Sequence, residues 1–235
     1  MIPIERREKI LKLLEGQKSS TVRELANSLF ISEASIRRDI EALEKEGLVR
    51  RVYGGVLLAR YQNGIVPLDL RDSDHSAVKE QIARRAAALI QDGDTVMMDA
   101  SSTVRRMIKY IGNKRNLTII TNNLRIFSEA AQYGASDLSL YCTGGHYSAE
   151  NHAFVGASAE QYLRSVRADC LFFSSQGISE DGEISDASEE ETSLRRVMLT
   201  RADRRYFLCD SSKLGVRHTF VLCHRDDLTD LIDET

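Results

Sequence analysis

The chain has little of what marks several protein classes. Only two prolines occur in 235 residues, beside 42% hydrophobic and 29% charged residues, a balance far from collagenous or disordered sequences. No apolar run approaches the roughly 20 residues that a membrane span needs. The start, MIPIERREKI, is charged where a secretory signal would be apolar, so the chain is expected in the cytoplasm with no membrane partner. The four cysteines, Cys142, Cys170, Cys209 and Cys223, stand far apart, and no pair has metal-ligand spacing. Each lies in or beside an apolar strand-like run such as ADCLFF or FVLC, which predicts small reduced hydrophobes in a core rather than disulfides. The histidines, His75, His146, His152, His218 and His224, are scattered and expected at the surface or in loops. No metal cluster, cofactor motif or serine-histidine pairing emerges.

What is present suits a small domain joined to a medium one. The net charge of −3 hides an asymmetry: residues 1–60 hold 12 Lys and Arg against 9 Asp and Glu, leaving 20 against 26 for the remainder. A basic end and an acidic body can have different partners.

Residues 4–57 read as three helices and a hairpin. In IERREKILKLLEG, Ile10, Leu11 and Leu14 fall within about 100° of arc, and Gly16 is the expected stop. Thr21 and Glu24 have capping-box spacing, ahead of an apolar face of Val22, Leu25, Ala26 and Leu29. After the Phe30-Ile31 turn, Ser32 can cap a third helix with the inward stripe Ile36, Ile40 and Leu43, ending at Gly47. Leu48 to Tyr53, Gly54-Gly55 and Val56 to Leu58 alternate and turn like a β-hairpin.

Two helices joined by a tight turn, with a hairpin behind, form a winged helix-turn-helix. On the third helix Arg38 lies nearly opposite the core stripe, with Arg37 and Ser35 on its flanks. A guanidinium pairs in bidentate fashion with a guanine edge or a phosphate, so Ser32, Glu33, Ala34, Ser35, Arg37 and Arg38 are the residues expected to face double-stranded DNA. Arg50 and Arg51 at the wing base suit phosphates, fixing register without reading sequence. A solvated charged face is the bland alternative for the arginines alone. The turn, the cap, the arginine pair and the basic hairpin occurring together favour DNA.

Periodicity is lost from Ala59 to about His75, the expected linker between a domain at 1–58 and one at 76–235. Beyond it, the runs TVMMDA (95–100), LTIIT (117–121), LSLYCT (138–143), ADCLFFS (168–174), RYFLCD (205–210) and TFVLC (219–223) are mostly separated by helical stretches. That alternation predicts an α/β domain with a largely parallel sheet. Asp99 to Thr103, Thr121 to Asn123, and Thr143 to Gly145 follow three of these strands. Ligands of open α/β sheets sit outside the carboxyl ends of strands, where loop donors and helix starts hold anions, so phosphate is the natural candidate. Plain helix capping is the alternative for each serine or asparagine taken singly. A second cluster holds Ser185-Asp186, Glu189 to Glu191, Arg195-Arg196 and Asp210 to Lys213. Here Lys213 and Arg195 could clamp a phosphate and the acidic run could receive sugar hydroxyls, with a first turn that complements the helix dipole the preferred alternative for at least two of the three glutamates.

The segment ISEASIRRDIEALEKEGLVRRVYGG resembles the N-terminal signature of DeoR-type bacterial transcriptional regulators: a Ser, then IRRD, then L-x-x-x-G and a wing ending in Gly-Gly. The match runs from about Arg6 to Gly55. Most of residues 65–233 also resembles that family's effector-sensing domain, which is similar in fold to ribose-5-phosphate isomerase and CoA-transferase proteins. The resemblance implies a repressor of carbohydrate-metabolism genes, controlled by a phosphorylated sugar or related metabolite. Its pocket then maps onto Asp99, Ser101, Ser102, Thr103, Thr121, Asn122, Gly144, Gly145, Arg195 and Lys213. The chain departs from the family in having Asp-Ala-Ser-Ser-Thr for Asp-x-Gly-Thr-Thr, Arg195 for a lysine, and Gln176-Gly177 for Asp-Gly. It ends at Leu231-Ile232-Asp-Glu-Thr235, near a strand after which such sensors usually continue.

The resulting expectation is a cytoplasmic DNA-binding regulator without enzymatic activity, which binds a duplex operator and a small phosphorylated metabolite and assembles as a dimer or higher oligomer. The alternative is a sugar-phosphate isomerase or transferase body with a fused winged helix, in which Asp99, Asp186 or Glu189 would move protons.

Overall fold

The computed structural model describes residues 2–17, 19–52, 55–58, 71–72, 75–133, 137–149 and 151–235. The chain divides into two compact units, Met1–Asp74 and His75–Thr235. The linker expected at 59–75 lies almost wholly outside the described residues.

In the first unit α1 (Pro3–Gln17), α2 (Val22–Leu29) and α3 (Glu33–Lys45) enclose a core of Ile10, Leu14, Leu25, Ile36, Ile40 and Leu43, all buried. Helix α1 continues through Gly16 to Gln17, so that glycine is not the stop the sequence suggested. The capping box is formed in both directions: the Thr21 hydroxyl accepts from the Glu24 N–H, and the Glu24 carboxylate accepts from the Thr21 N–H at 2.8 Å. The Ser32 hydroxyl caps α3 by accepting from the Ser35 N–H. At the far end Gly47 takes φ +71°, where its lack of a Cβ avoids a clash, and the Leu48 N–H closes the helix onto the Leu43 carbonyl at 3.0 Å.

The hairpin is β2 (Val49–Val52) with β3 (Gly55–Leu58), antiparallel, and Val52 faces Gly55. Gly55 is therefore the first residue of a strand instead of half of the turn, and Gly54 lies outside the described residues. A strand that the sequence pattern did not announce, β1 (Ser19–Thr21), pairs with the other side of β3. Three residues are too few for a periodicity to register.

The second unit is a three-layer sandwich around a six-stranded, wholly parallel sheet. Its helix α4 (Ser76–Ala88) leads into β4 (Thr95–Met98), then α5 (Ser102–Arg105) with a 3₁₀ turn, β5 (Thr118–Thr121), α6 (Leu124–Tyr133) and β6 (Ser139–Cys142). A small hairpin, β7 (His146–Ser148) and β8 (Ala153–Val155), precedes α7 (Ala157–Arg164) and β9 (Ala168–Phe173). Then come β10 (Gly177–Ile178), β11 (Glu183–Asp186), α8 (Glu189–Thr200), β12 (Ala202–Leu208), β13 (Phe220–His224) and β14 (Asp230–Ile232). The sheet runs β14-β12-β9-β4-β5-β6. Alternate side chains enter different cores: Val96, Met98, Cys170 and Phe172 join Ile82 and Ala86 of α4, whereas Met97, Leu171 and Phe173 join Leu163 of α7 and Leu194 of α8. Burial on both faces is why these strands read as unbroken apolar runs.

Five of the six anticipated strands lie in this sheet. The sixth, TFVLC, does not: β13 pairs antiparallel with β11 in a separate sheet ordered β10-β11-β13, and β14 takes the edge of the parallel sheet instead. Leu222 is the one buried hydrophobic of β13, which fits a strand covered on one face. Cys170 and Cys209 are buried and free, and burial pushes their thiols up to about 12 and about 11.

Two further features of the first unit bear on its stability. Asp39, only 3% exposed on α3, accepts from the Arg6 guanidinium of α1, with Nη2 to Oδ1 at 2.9 Å, and lies 3.9 Å from Arg7. Asp39→Ala is expected to destabilise this unit by about 1–3 kcal/mol, because a charged hydrogen bond is lost while the arginines remain half able to reach water. Phe30 occupies the left-handed region at φ +54°, ψ +47°, with 96% of its surface exposed. An L side chain there costs roughly 1–2 kcal/mol, whereas glycine returns only about 0.4–1 kcal/mol to the unfolded chain. Phe30→Gly is thus expected to raise, by up to about 1.5 kcal/mol, the same unfolding transition that Asp39→Ala lowers. Chemical denaturation of the full chain reads both.

Candidate functional site

Ser32, Glu33, Ala34, Arg37 and Arg38 are exposed along α3, with Ser35 half-buried. Arg37 is held by Glu33 one turn back at 3.2 Å, and Arg38 donates to the Ser35 hydroxyl at 3.4 Å. A surface pair of this kind is worth only ~0.3–0.5 kcal/mol, so it orients Arg37 without withholding it from a ligand. The wing arginines differ from each other. The Arg51 N–H and guanidinium both bind Glu44, at 2.8 and 2.5 Å, and that backbone N–H followed by the guanidinium holds the Glu44 carboxyl below its usual range against the effect of burial. Arg50 is exposed on the neighbouring position. Asp39 was missed by the sequence reading, although its place on the flank of the Ile36, Ile40 and Leu43 stripe was a signal that its carboxylate turns inward.

In the second unit the parallel strands place their carboxyl ends along one edge. The chain proceeds from β4 towards β5 and β6 on one side and from β9 towards β12 and β14 on the other, so the direction of winding reverses between β4 and β9. A crevice opens at such a reversal. The residues after those strands meet there: the Ser174 N–H donates to Asp99 Oδ2 at 3.3 Å, and the Lys213 ammonium donates to the Ser174 hydroxyl at 2.5 Å.

Arg195, 2% exposed on α8, lies 2.7 Å from Asp99, 3.0 Å from Asp186 and 3.6 Å from Glu191. Burial opposes its charge, but Glu191, Asp99 and Asp186 outweigh it and hold the guanidinium pKa above its ordinary value. Asp99 also accepts from the Ser101 N–H at 3.0 Å. The Ser188 hydroxyl caps α8; Glu189 and Glu190 are exposed in its first turn, and Glu191 is the glutamate that turns inward.

The other expected residues are near strand ends but serve local structure. Ser101 caps α5 by accepting from the Val104 N–H at 3.2 Å, and Ser102 and Thr103 are buried beside it. The Thr121 hydroxyl accepts from the Asn123 N–H at 3.0 Å, and Asn122 donates to the Phe154 carbonyl at 3.2 Å, which fastens the β7–β8 hairpin. Gly144 and Gly145 both have positive φ. A Cβ on Gly145 would stand 2.5 Å from the Val155 carbonyl, so glycine is required at this approach.

Lys79 was also missed. It is 5% exposed on α4, at the same face as Ile82, Ala83 and Ala86, and a lysine at a core-facing position was the available signal. Burial pushes the Asp210 carboxyl up, yet Lys213, the Ser212 hydroxyl and the charges of Lys79 and His75 bring it below the usual carboxylate range. Lys213 lies 3.6 Å from Asp210 and keeps its side chain 14% exposed. The edge therefore combines one partly accessible ammonium, hydroxyl groups and backbone donors with a carboxylate cluster turned towards Arg195. Such a surface can bind an anion carrying hydroxyl groups. No helix among the described residues is long and apolar enough to cross a membrane.

Residues 6–62 match the family described as DeoR-like helix-turn-helix domain, and residues 74–235 match that described as DeoR C terminal sensor domain. The HTH-type transcriptional regulator GolR of Listeria innocua is 30% identical over 234 residues, covering 100% of this chain and 91% of the relative. The transcriptional repressor AccR of Agrobacterium fabrum is 31% identical, covering 98% and 89%. The lactose phosphotransferase system repressor of Staphylococcus epidermidis is 30% identical, covering 98% and 91%. Among solved structures, the tetrameric eIF2B-beta2-delta2 complex from C. thermophilum has a similar fold, with TM-score 0.50 and 14% identity over 67% of this chain and 55% of that one. Ribose 5-phosphate isomerase A from Methanocaldococcus jannaschii gives TM-score 0.43 and 17% identity over 60% and 55%. With both of its units matched and relatives aligned along its whole length, the chain belongs to the DeoR family of helix-turn-helix transcriptional regulators.

Proposed function

We propose that the protein is a cytoplasmic repressor of carbohydrate-metabolism genes, acting as a dimer or higher oligomer on a duplex operator and released or retained by a small phosphorylated metabolite. In this reading residues 1–58 read DNA, 59–75 link, and 76–235 sense the metabolite and assemble the oligomer. The exposed arginine pair on a capped α3 supports the DNA role. Single recognition helices span few base pairs, so specificity calls for two of them about one DNA turn apart.

The observation that carries the effector role is the meeting of Lys213, Ser174 and Asp99 at the reversal between β4 and β9. Lys213 and the 101–103 loop would take the phosphate. Arg195 takes a different part from the clamp suggested by its charge. An anion approaching it would also meet Asp99, Asp186 and Glu191, so Arg195 instead holds the carboxylates in place for the hydroxyl groups. Relatives named as repressors of a lactose phosphotransferase system and of an aga operon support a sugar-derived effector. The isomerase or transferase alternative needs a carboxylate at liberty to move a proton. Asp99 and Asp186 are both bound to Arg195, and Glu189 lies exposed in the first turn of α8, which favours binding over turnover.

Two experiments test this. On a duplex selected by the parent protein from a randomised pool, Arg38→Ala should cost about 1–3 kcal/mol and relax base preference, whereas Arg50→Ala should weaken all sequences alike and lower the salt slope by about 1. Arg50 is chosen because Glu44 occupies Arg51. Lys213→Ala should abolish the effect of a sugar phosphate on binding of that duplex, an effect of ~1–3 kcal/mol in the parent, and leave metabolite-free affinity unchanged. Gel-shift titration with a panel of sugar phosphates measures it; a full response in the variant removes Lys213 from the site.

A further inference from the structure

We propose that Phe30 is a second DNA-reading element of the first unit, its phenyl ring making an apolar contact with a thymine methyl group in the major groove beside the bases faced by α3. The proposal rests on the reading of α3 as the recognition helix.

The backbone of the α2–α3 turn has no use for this side chain. The Phe30 N–H bonds back to the Asn27 carbonyl at 3.3 Å and the Ile31 N–H to the Ala26 carbonyl at 2.9 Å, closures made by main-chain atoms alone. The conformation at Phe30, φ +54°, is one that an aromatic residue adopts against its own sterics and that glycine adopts freely. The ring also gives nothing to the core: Leu29 and Ile31 on either side pack against it, while Phe30 is 96% exposed. A strained position that carries a large bare apolar group is explained by a partner that covers the group.

The place of the ring identifies that partner. Phe30 stands two residues before Ser32, the cap of α3. The Ser32 hydroxyl donates to the Ser35 hydroxyl at 3.0 Å, and Ser35 accepts from Arg38. Phe30 thus adjoins in the chain the N-terminal end of α3, where the candidate base-reading residues are gathered, and in helix-turn-helix proteins the N-terminal residues of the recognition helix contact the base edges. In that groove thymine is the base that presents a methyl group, and phenylalanine is among the side chains that contact it. Arginines reading guanine and a ring reading thymine would divide the hydrogen-bonding and apolar parts of one site.

The test uses the full chain and a duplex that the parent protein selects from a randomised pool. Binding is compared for that duplex, for a copy in which every thymine is deoxyuridine, which lacks only the methyl, and for random duplex. The parent should lose about fourfold for each methyl it covers, the equivalent of ~0.8 kcal/mol per buried carbon. Phe30→Gly should bind the thymine duplex as weakly as the parent binds the deoxyuridine copy, should be indifferent to the replacement, and should bind random duplex as the parent does. Phe30→Leu should keep part of the thymine preference. The proposal is overturned if Phe30→Gly retains the full thymine preference or matches the parent on every duplex. Dissociation of the parent's oligomer by Phe30→Gly in light scattering, with thymine preference intact, would also overturn it by giving the ring to a protein interface. Arg38→Ala separates the two readings: an Arg38→Ala protein that binds the selected duplex like the parent brings down the recognition-helix reading and this proposal with it, whereas a weakened Arg38→Ala beside an unaltered Phe30→Gly brings down this proposal alone.

Discussion

One guanidinium surrounded by three carboxylates organises the carboxyl edge of the parallel sheet in the second unit. Arg195 on α8 reaches Asp99 after β4, Asp186 at the end of β11 and Glu191 one turn back on its own helix. Taking these charges out of water is costly, and a buried ionic cluster contributes less net stability than an apolar core of equal volume. Its effect is positional. Asp99 is fixed from three sides, by Arg195, the Ser101 N–H and the Ser174 N–H, so the ends of β4 and β9 are held together at the point where winding reverses. The same arrangement divides the positive charges of that edge. Arg195 is spent inside the protein, and Lys213 is left at the rim, next to Ser174 and Asp210.

A second constraint makes that edge possible. All strands of the main sheet run the same way, which requires long crossovers, most of them here through helices that cover both faces. The outcome is one edge where hydroxyl groups, backbone donors and charged side chains from distant parts of the sequence collect. Asp99 and Arg195 are separated by 96 positions in the chain yet share a hydrogen bond. Local requirements then consume many of the polar groups: Ser101 and Thr121 satisfy backbone N–H groups before any ligand is considered.

The first unit works under a different limit. A domain of about 60 residues buries only ~60% of the surface of its unfolded chain, so its margin is narrow. The capping box at Thr21, the cap at Ser32 and the Arg6–Asp39 pair each secure one helix end or one helix contact. Against that background a left-handed phenylalanine is a cost borne at the junction of α2 and α3, the part of the motif whose geometry sets what α3 can touch.

Features written in local chemistry were legible in the sequence. The stripe of Ile36, Ile40 and Leu43, the caps at Thr21 and Ser32, the exposed arginines of α3 and the apolar strands of the parallel sheet all follow from periodicities and spacings within a few residues, and the structure contains each of them. Partners far apart in the chain were not legible. That Asp39 turns to Arg6, that Lys79 adds its charge to Asp210, and that Arg195 is enclosed by carboxylates instead of being held out to solvent depend on which helices pack together, and residue type does not reveal it. The fate of TFVLC shows the same limit, since its five residues suit either a parallel or an antiparallel neighbour. The choice rested on β14 taking the free edge beside β12 while β11 offered β13 an antiparallel partner, because a strand's hydrogen-bonding groups lie along its backbone and are satisfied by whichever neighbour the fold brings alongside.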